Sequence, residues 1–249
     1  MESTRTQTTP LDEVKPSFSL GGFALIMAGA FLGALAAALV LPKWLPGLTS
    51  SLTAAEPKAF WFLARSSAFI AYFLLWLSMV LGVGITNKLA ALWPGLPPTN
   101  EIHQYTSILG LAFGLFHGLI ILGDKYIGFT LAQVLLPFTT SNYKPFAVGL
   151  GQLGFYLMLI LTFSFYVRKK IGYKVWRAIH FLSFLSYISV LIHSLMAGTD
   201  STLPVVQYFY LITGGLVLFM ILFRILASRA NAREKKLRVQ RVPPRIPNA

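Results

Sequence analysis

The 249-residue chain contains no cysteine. That excludes disulfides, thiolate-held zinc, iron–sulfur clusters and covalent c-type haem attachment, which needs a C-x-x-C-H run. Acidic side chains are nearly as scarce, with 8 Asp and Glu against 21 Lys and Arg and a net charge of +13. None of the eight falls inside a long apolar stretch, so the carboxylate chain typical of pumps and transporters is missing. Period-2 alternation in ten-residue segments is missing too, which argues against an outer-membrane-type barrel.

What remains is apolar. Hydrophobic residues make up 55% of the chain, a composition that belongs to a polytopic membrane protein. Six stretches longer than 18 residues carry no acidic or basic side chain, enough to cross ~30 Å of hydrocarbon as a helix. They lie between Lys15 and Lys43, Arg65 and Lys88, Glu101 and Asp124, Lys144 and Arg168, Arg177 and Asp200, and Asp200 and Arg224. The expected fold class is an all-α membrane protein with six transmembrane helices, approximately 18–42, 62–86, 102–123, 146–167, 176–198 and 203–226. The first stretch follows a polar segment containing Asp12 and Glu13 and exceeds a signal-peptide core, so it reads as an uncleaved span. One membrane domain over 16–226 is expected, between a polar arm (1–15) and a basic tail (227–249). The tail is polar, basic and Pro-containing, and reads as a short helix end followed by a disordered arm on anionic lipid.

The basic residues are not a nucleic-acid patch. They concentrate in RKKIGYKVWR (168–177) and from Arg224 onward. Sixteen fall on one side of the six-span topology and five on the other, which places both termini in the cytoplasm. Trp44 and Trp61 then fall at the outer interface, Trp93 and Trp176 at the inner one.

All 4 histidines lie in spans. His103 and His117 belong to the third, His180 and His193 to the fifth. Ionisable residues inside a membrane are costly and mark function. The two spans run in the same direction, so His103 and His180 share the inner depth and His117 and His193 the outer. The two depths are ~20 Å apart at 1.5 Å per residue. Two imidazoles from facing helices are the arrangement that holds a haem iron from both sides. In the third span His103, Gly110, Gly114 and His117 fall within ~60° of helix surface. The glycines either leave room for flat macrocycles or form a small-x-x-x-small packing face. The fifth span fits less well: thirteen residues turn an ideal helix ~220° net, which sets His193 nearly opposite His180. A helix distortion or a tilt would bring both rings inward.

H-x13-H in the third span and H-x12-H in the fifth resemble the ferric reductase-like transmembrane domain, found in ferric reductases, NADPH oxidases and the haem subunit of bacterial methionine sulfoxide reductase systems. Further likeness runs through LARSSAFIAYFLLWLSMVLG (63–82), PFTTSNYKPFAVGLGQLGFYLMLI (137–160), VWRAIHFLSFLSY (175–187) and HSLMAGTDS (193–201), and covers about residues 60–226. The resemblance implies two non-covalent b-type haems, His103 with His180 and His117 with His193, in a bacterial inner or plasma membrane. It implies electrons passing from a cytoplasmic flavin reductase, flavoprotein or quinol, through an inner and an outer haem, to ferric iron, oxygen or an extracytoplasmic reductase. It sets Arg65 beside the outer haem, there to pair with a propionate or steer an acceptor. Arg177, and less so Lys174, would meet inner propionates. Tyr187 and Phe184 share the face of His180. Asp124 and Asp200 read as loop and cap residues or as attractors of a ferric complex. About 25 residues follow the sixth span, too few for flavin and nicotinamide domains, so flavin is expected from a separate partner. The alternative is a transporter or proton channel with the histidines as a relay.

Overall fold

The computed structural model describes residues 14–44, 59–87, 95–124, 127–141 and 143–241. Among them every regular element is helical. Helix α1 spans Leu20–Trp44, α2 Ala59–Thr86, α3 Leu96–Ile120 with a 3₁₀ turn at Ile121–Gly123, and α4 Leu131–Leu135. Then come α5 over Pro145–Ile171, α6 over Tyr173–His180, α7 over Leu182–Ala197 and α8 over Pro204–Arg241. Six runs of 21 to 28 residues, α6 and α7 counted together, are long and apolar enough to cross a membrane. The expected all-α, six-span architecture is the one the chain adopts.

The third and sixth helices overrun the apolar text by the most. The third starts at Leu96 because Gly95 takes φ 108 and Pro residues fill the first turn, where a missing N–H costs nothing. The sixth continues through the basic segment to Arg241. The arm before residue 14, Lys58, Lys88, Trp93, Lys125 and the tail beyond Arg241 lie outside the described residues, as does the side chain of Trp44.

The bundle is organised around two tight pairs, α2 with α3 and α5 with α7. Helix α1 leans on α3, and α8 closes against α2 and α7. Burial follows membrane rather than aqueous logic. Leu25, Val205, Leu211 and Ile212 stand exposed on the rim, while Ser67, Ser78, Thr106, Ser186 and Thr213 are buried between helices. Small residues let backbones approach, and their hydroxyls find carbonyls: Ser67 bonds Leu63 O at 2.7 Å within its helix, and Ser186 bonds Gly154 O at 2.9 Å across to α5.

One irregularity matters most. Gly172, at φ 83, ends α5 and starts α6. Helix α6 then stops at His180, and Phe181 (φ −64, ψ −22) sits in a 3₁₀-like turn, with Phe184 N bonding Phe181 O at 3.3 Å. The fifth span is therefore broken directly after its first histidine.

Candidate functional site

The four histidines meet as two ring pairs. His103 on α3 and His180 at the end of α6 have ring centres 6.3 Å apart at 74°. His117 on α3 and His193 on α7 have ring centres 6.1 Å apart at 68°. The break at Phe181 lies between the two histidines of the fifth span, whose unbroken projection would have set them on opposite faces. The first pair shares its end of the bundle with Arg177 and Arg224 and is called the basic end below; the other is the far end.

Backbone carbonyls orient three of the four rings. His117 Nδ1 bonds Ala64 O at 2.8 Å, and His193 Nδ1 bonds Ala147 O at 2.8 Å. His103 Nδ1 bonds Ser78 O at 2.9 Å and lies 3.2 Å from Ser78 Oγ. A carbonyl only accepts, so each Nδ1 carries the proton and each Nε2 keeps its lone pair. His180 is held differently: its ring lies 5.2 Å from that of Trp176, tilted 30°, one turn back on α6. No carbonyl partner for it is found among the described residues.

Space beside the rings is made by glycine. A Cβ on Gly151 would come within 2.5 Å of His193 Nδ1, and one on Gly82 within 3.2 Å of His103 Cε1. Each ring pair lies in its own cleft. That at the basic end, about 260 Å³, is lined by Ser78, Gly82, Ser107, Trp176, Arg177 and Arg224 besides its histidines. That at the far end, about 240 Å³, is lined by Ala64, Arg65, Gly110, Gly114, Gly151 and Asp200 besides its own. Leu75 and Met158 line both clefts and form the wall between them.

The donor set identifies what can bind. Among the described residues no cluster of three or more His, Cys, Asp or Glu exists, so a bare zinc ion, which takes three or four protein ligands, is poorly served. Two imidazoles suit a metal that brings its own equatorial donors. An imidazole nitrogen bonds a first-row metal at about 2 Å and lies about 1 Å from its ring centre, so two rings on one metal have centres about 6 Å apart. Both pairs have that spacing, and the orientation of three rings leaves Nε2 as the free donor. The residues fit a six-coordinate haem iron.

The remaining sequence candidates are distributed as follows. Arg65 lines the far-end cleft and is paired with Asp200. Gly110 is buried where a Cβ would come within 3.1 Å of Met158 Cε and 3.3 Å of Leu74 Cβ; at Gly114 the nearest atom is Phe155 Cδ2, at 3.5 Å. Gly110 thus permits close helix packing and Gly114 borders open cleft. Arg177 is exposed at the edge of the basic-end cleft, its NH1 3.4 Å from Tyr173 Oη. Tyr187 lines neither cleft. It is buried mid-bundle with its hydroxyl 3.2 Å from that of Tyr72, which lies 2.7 Å from Thr213 Oγ1. Phe184 does line the basic-end cleft.

Sequence reasoning missed Ser78, Gly82, Gly151, Trp176 as a support, Arg224 as a cleft residue, and the Arg65–Asp200 pair. The ring-supporting carbonyls leave no trace in sequence, because every residue has one. Gly82 and Gly151 were in principle visible as glycines inside long apolar helices.

A family model described as the ferric reductase like transmembrane component matches residues 67–192, a little over half of the chain; the match includes His103, His117 and His180 and ends one residue before His193. No curated protein and no solved structure is significantly similar.

Proposed function

Since the chain belongs to the ferric reductase-like transmembrane family, we propose that it carries electrons across a membrane as a cytochrome with two non-covalent b-type haems. The observation that supports this best is the pair of imidazole pairs, 6.3 Å and 6.1 Å between ring centres, stacked along one bundle. His103 and His180 would hold one haem and His117 and His193 the other. A haem held between two imidazoles would supply reversible one-electron chemistry and disfavour direct oxygen binding at iron. The protein's part is to keep the rings in place. The carbonyls of Ser78, Ala64 and Ala147 fix the tautomer and raise the basicity of three ligands. The apolar helices exclude water between the two depths.

The Lys and Arg bias puts the basic end in the cytoplasm. There Arg177 and Arg224 suit the acidic groups of a haem or the surface of an electron donor, which we take to be a separate flavoprotein, flavin reductase or quinol. The far end then faces the extracytoplasmic acceptor, for which ferric iron, oxygen and a partner reductase are the chemical classes the family suggests. The setting would be a bacterial inner or plasma membrane. A proton relay fits less well: among the described residues the only carboxylate lining either cleft is Asp200, and Arg65 engages it.

The test is spectroscopic. The purified chain, supplied with haem, should give b-type Soret and α-bands in a dithionite-reduced minus oxidised spectrum, at two haems per chain. His103→Ala or His193→Ala should each lower that to about one. Absence of the bands would end the proposal.

A further inference from the structure

At the far end the only cation lining the cleft and the only carboxylate lining it, among the described residues, are bonded to each other. Arg65 Nε donates to Asp200 Oδ2 at 2.8 Å, and a second guanidinium nitrogen donates to Oδ1. This two-pronged pairing uses the face of guanidinium best suited to carboxylate or phosphate. The side chains are 31% and 20% exposed, which puts the pair at the cleft mouth, within reach of a small molecule from solvent.

Asp200 is held in place by several elements. Its carbonyl accepts from Leu203 N at 2.9 Å, and Ser201 Oγ bonds Gly198 O at 2.7 Å, which shapes the turn between α7 and α8. Tyr143 Oη donates to Ala197 O at 2.6 Å, and Lys144 Nζ to Met196 O at 2.8 Å, pinning the end of α7 beside that turn. The Trp61 ring packs edge-on against Tyr143 at 5.8 Å, one turn before Arg65 on α2. A carboxylate tethered this way competes for Arg65 at a high effective concentration. A dissolved anion must displace it.

We propose that Asp200 determines acceptor specificity: by neutralising Arg65 it makes the far-end mouth favour uncharged one-electron acceptors over anionic ones. The proposal rests on the electron-transfer reading above. Its consequence for binding can be measured without any electron transfer.

The binding arm uses the purified full-length chain and ferrocyanide, a polyanion that is already reduced. Calorimetry should find ferrocyanide bound at least about tenfold more tightly by Asp200→Asn than by the wild type, with the gain lost at high salt. The double variant Arg65→Gln/Asp200→Asn should lose that gain, because the cation is gone. Equal affinity in the wild type and Asp200→Asn, or a gain that survives loss of Arg65, overturns the proposal.

The kinetic arm uses haem-loaded, dithionite-reduced protein freed of excess reductant. Its reoxidation is followed with ferricyanide and with neutral tris(acetylacetonato)iron(III). Each acceptor takes one electron and its iron(III) becomes iron(II). Asp200→Asn should raise the ferricyanide rate about tenfold relative to the neutral acceptor. An unchanged ratio overturns the proposal. Should Asp200→Asn fail to fold, Arg65→Gln carries the test, since the uncovered carboxylate should lower the ferricyanide ratio, and an unchanged ratio again overturns it. A chain that takes up no haem but passes the calorimetric arm would sink the cytochrome reading and acceptor specificity with it, and leave standing only the neutralisation of Arg65 by Asp200 against anions.

Discussion

The two ends of the bundle hold the same kind of ring pair by different means. At the far end both rings donate to helix carbonyls, Ala64 O and Ala147 O, each at 2.8 Å. A carbonyl in an intact helix is rigid, and Gly151 packs directly against His193. At the basic end His103 has a carbonyl and a hydroxyl from Ser78, whereas His180 sits at a helix break and rests on an indole. The surroundings differ in charge as well. Arg177 and Arg224 line the basic end with no carboxylate among the lining residues, and at the far end Asp200 cancels Arg65. The far end is therefore a site fixed by backbone and electrically balanced. The basic end is fixed on one side by packing and open to anionic groups.

The largest test of this contrast targets the break itself. Deleting Phe181 turns every later residue of α7 by ~100° and draws it back by ~1.5 Å relative to α6. His193 should leave His117 and lose its bond to Ala147 O, while His180, upstream, stays against His103. Haem content should fall from two to about one per chain, and the band lost should be the one lost in His193→Ala. Retention of both haems would mean that the break is not what sets His193 in place.

Trp176→Leu should have a smaller and one-sided effect. Loss of a group that orients a ligand lowers metal-site affinity by roughly 10- to 100-fold. Stacking at 5.2 Å is less directional than a hydrogen bond, so about tenfold is expected at the basic end and none at the far end. Haem titration that resolves two affinities would show it. A matching loss at both ends would point to general loosening and erase the contrast.

These particulars also bear on what the sequence could reveal. The six spans and the four histidines were legible because each follows from one-dimensional pattern: length without charge, and imidazole where charge is costly. The pairing by depth was legible because rise per residue is nearly constant. Azimuth was not. An ideal projection set His193 about 220° from His180 and put Tyr187 on the His180 face. Both inferences cross Phe181, and a projection holds only through an unbroken helix. In the structure His193 meets His117, and Tyr187 points to Tyr72 and Thr213 instead of a cleft. The Arg65–Asp200 pair joins residues 135 positions apart, and no local pattern announces it. The Ser78, Ala64 and Ala147 carbonyls were unreadable for the reason that makes them reliable: they belong to the backbone and not to the side chain.

That last distinction gives the finest test. Ser78 offers His103 two acceptors, its carbonyl at 2.9 Å and its hydroxyl at 3.2 Å, and the hydroxyl is also 2.7 Å from Ser107 Oγ. Ser78→Ala removes the hydroxyl and leaves the carbonyl. If the carbonyl sets the tautomer, haem affinity at the basic end should change by less than about threefold, well below the usual penalty for losing an orienting group. The remaining effect is electronic. With one acceptor fewer on Nδ1–H, the imidazole is a slightly weaker base toward iron, so the ferric form is less favoured and the midpoint potential should rise. A threefold change corresponds to about 30 mV for a one-electron couple, for which tenfold is 59 mV, and potentiometric titration of the b-type bands resolves it. The rise should be confined to one of the two components, because the far-end rings have no hydroxyl partner among the described residues. A shift in both components, or loss of the haem outright, would mean that Ser78 acts through the packing of α2 on α3 and not through the ring it bonds.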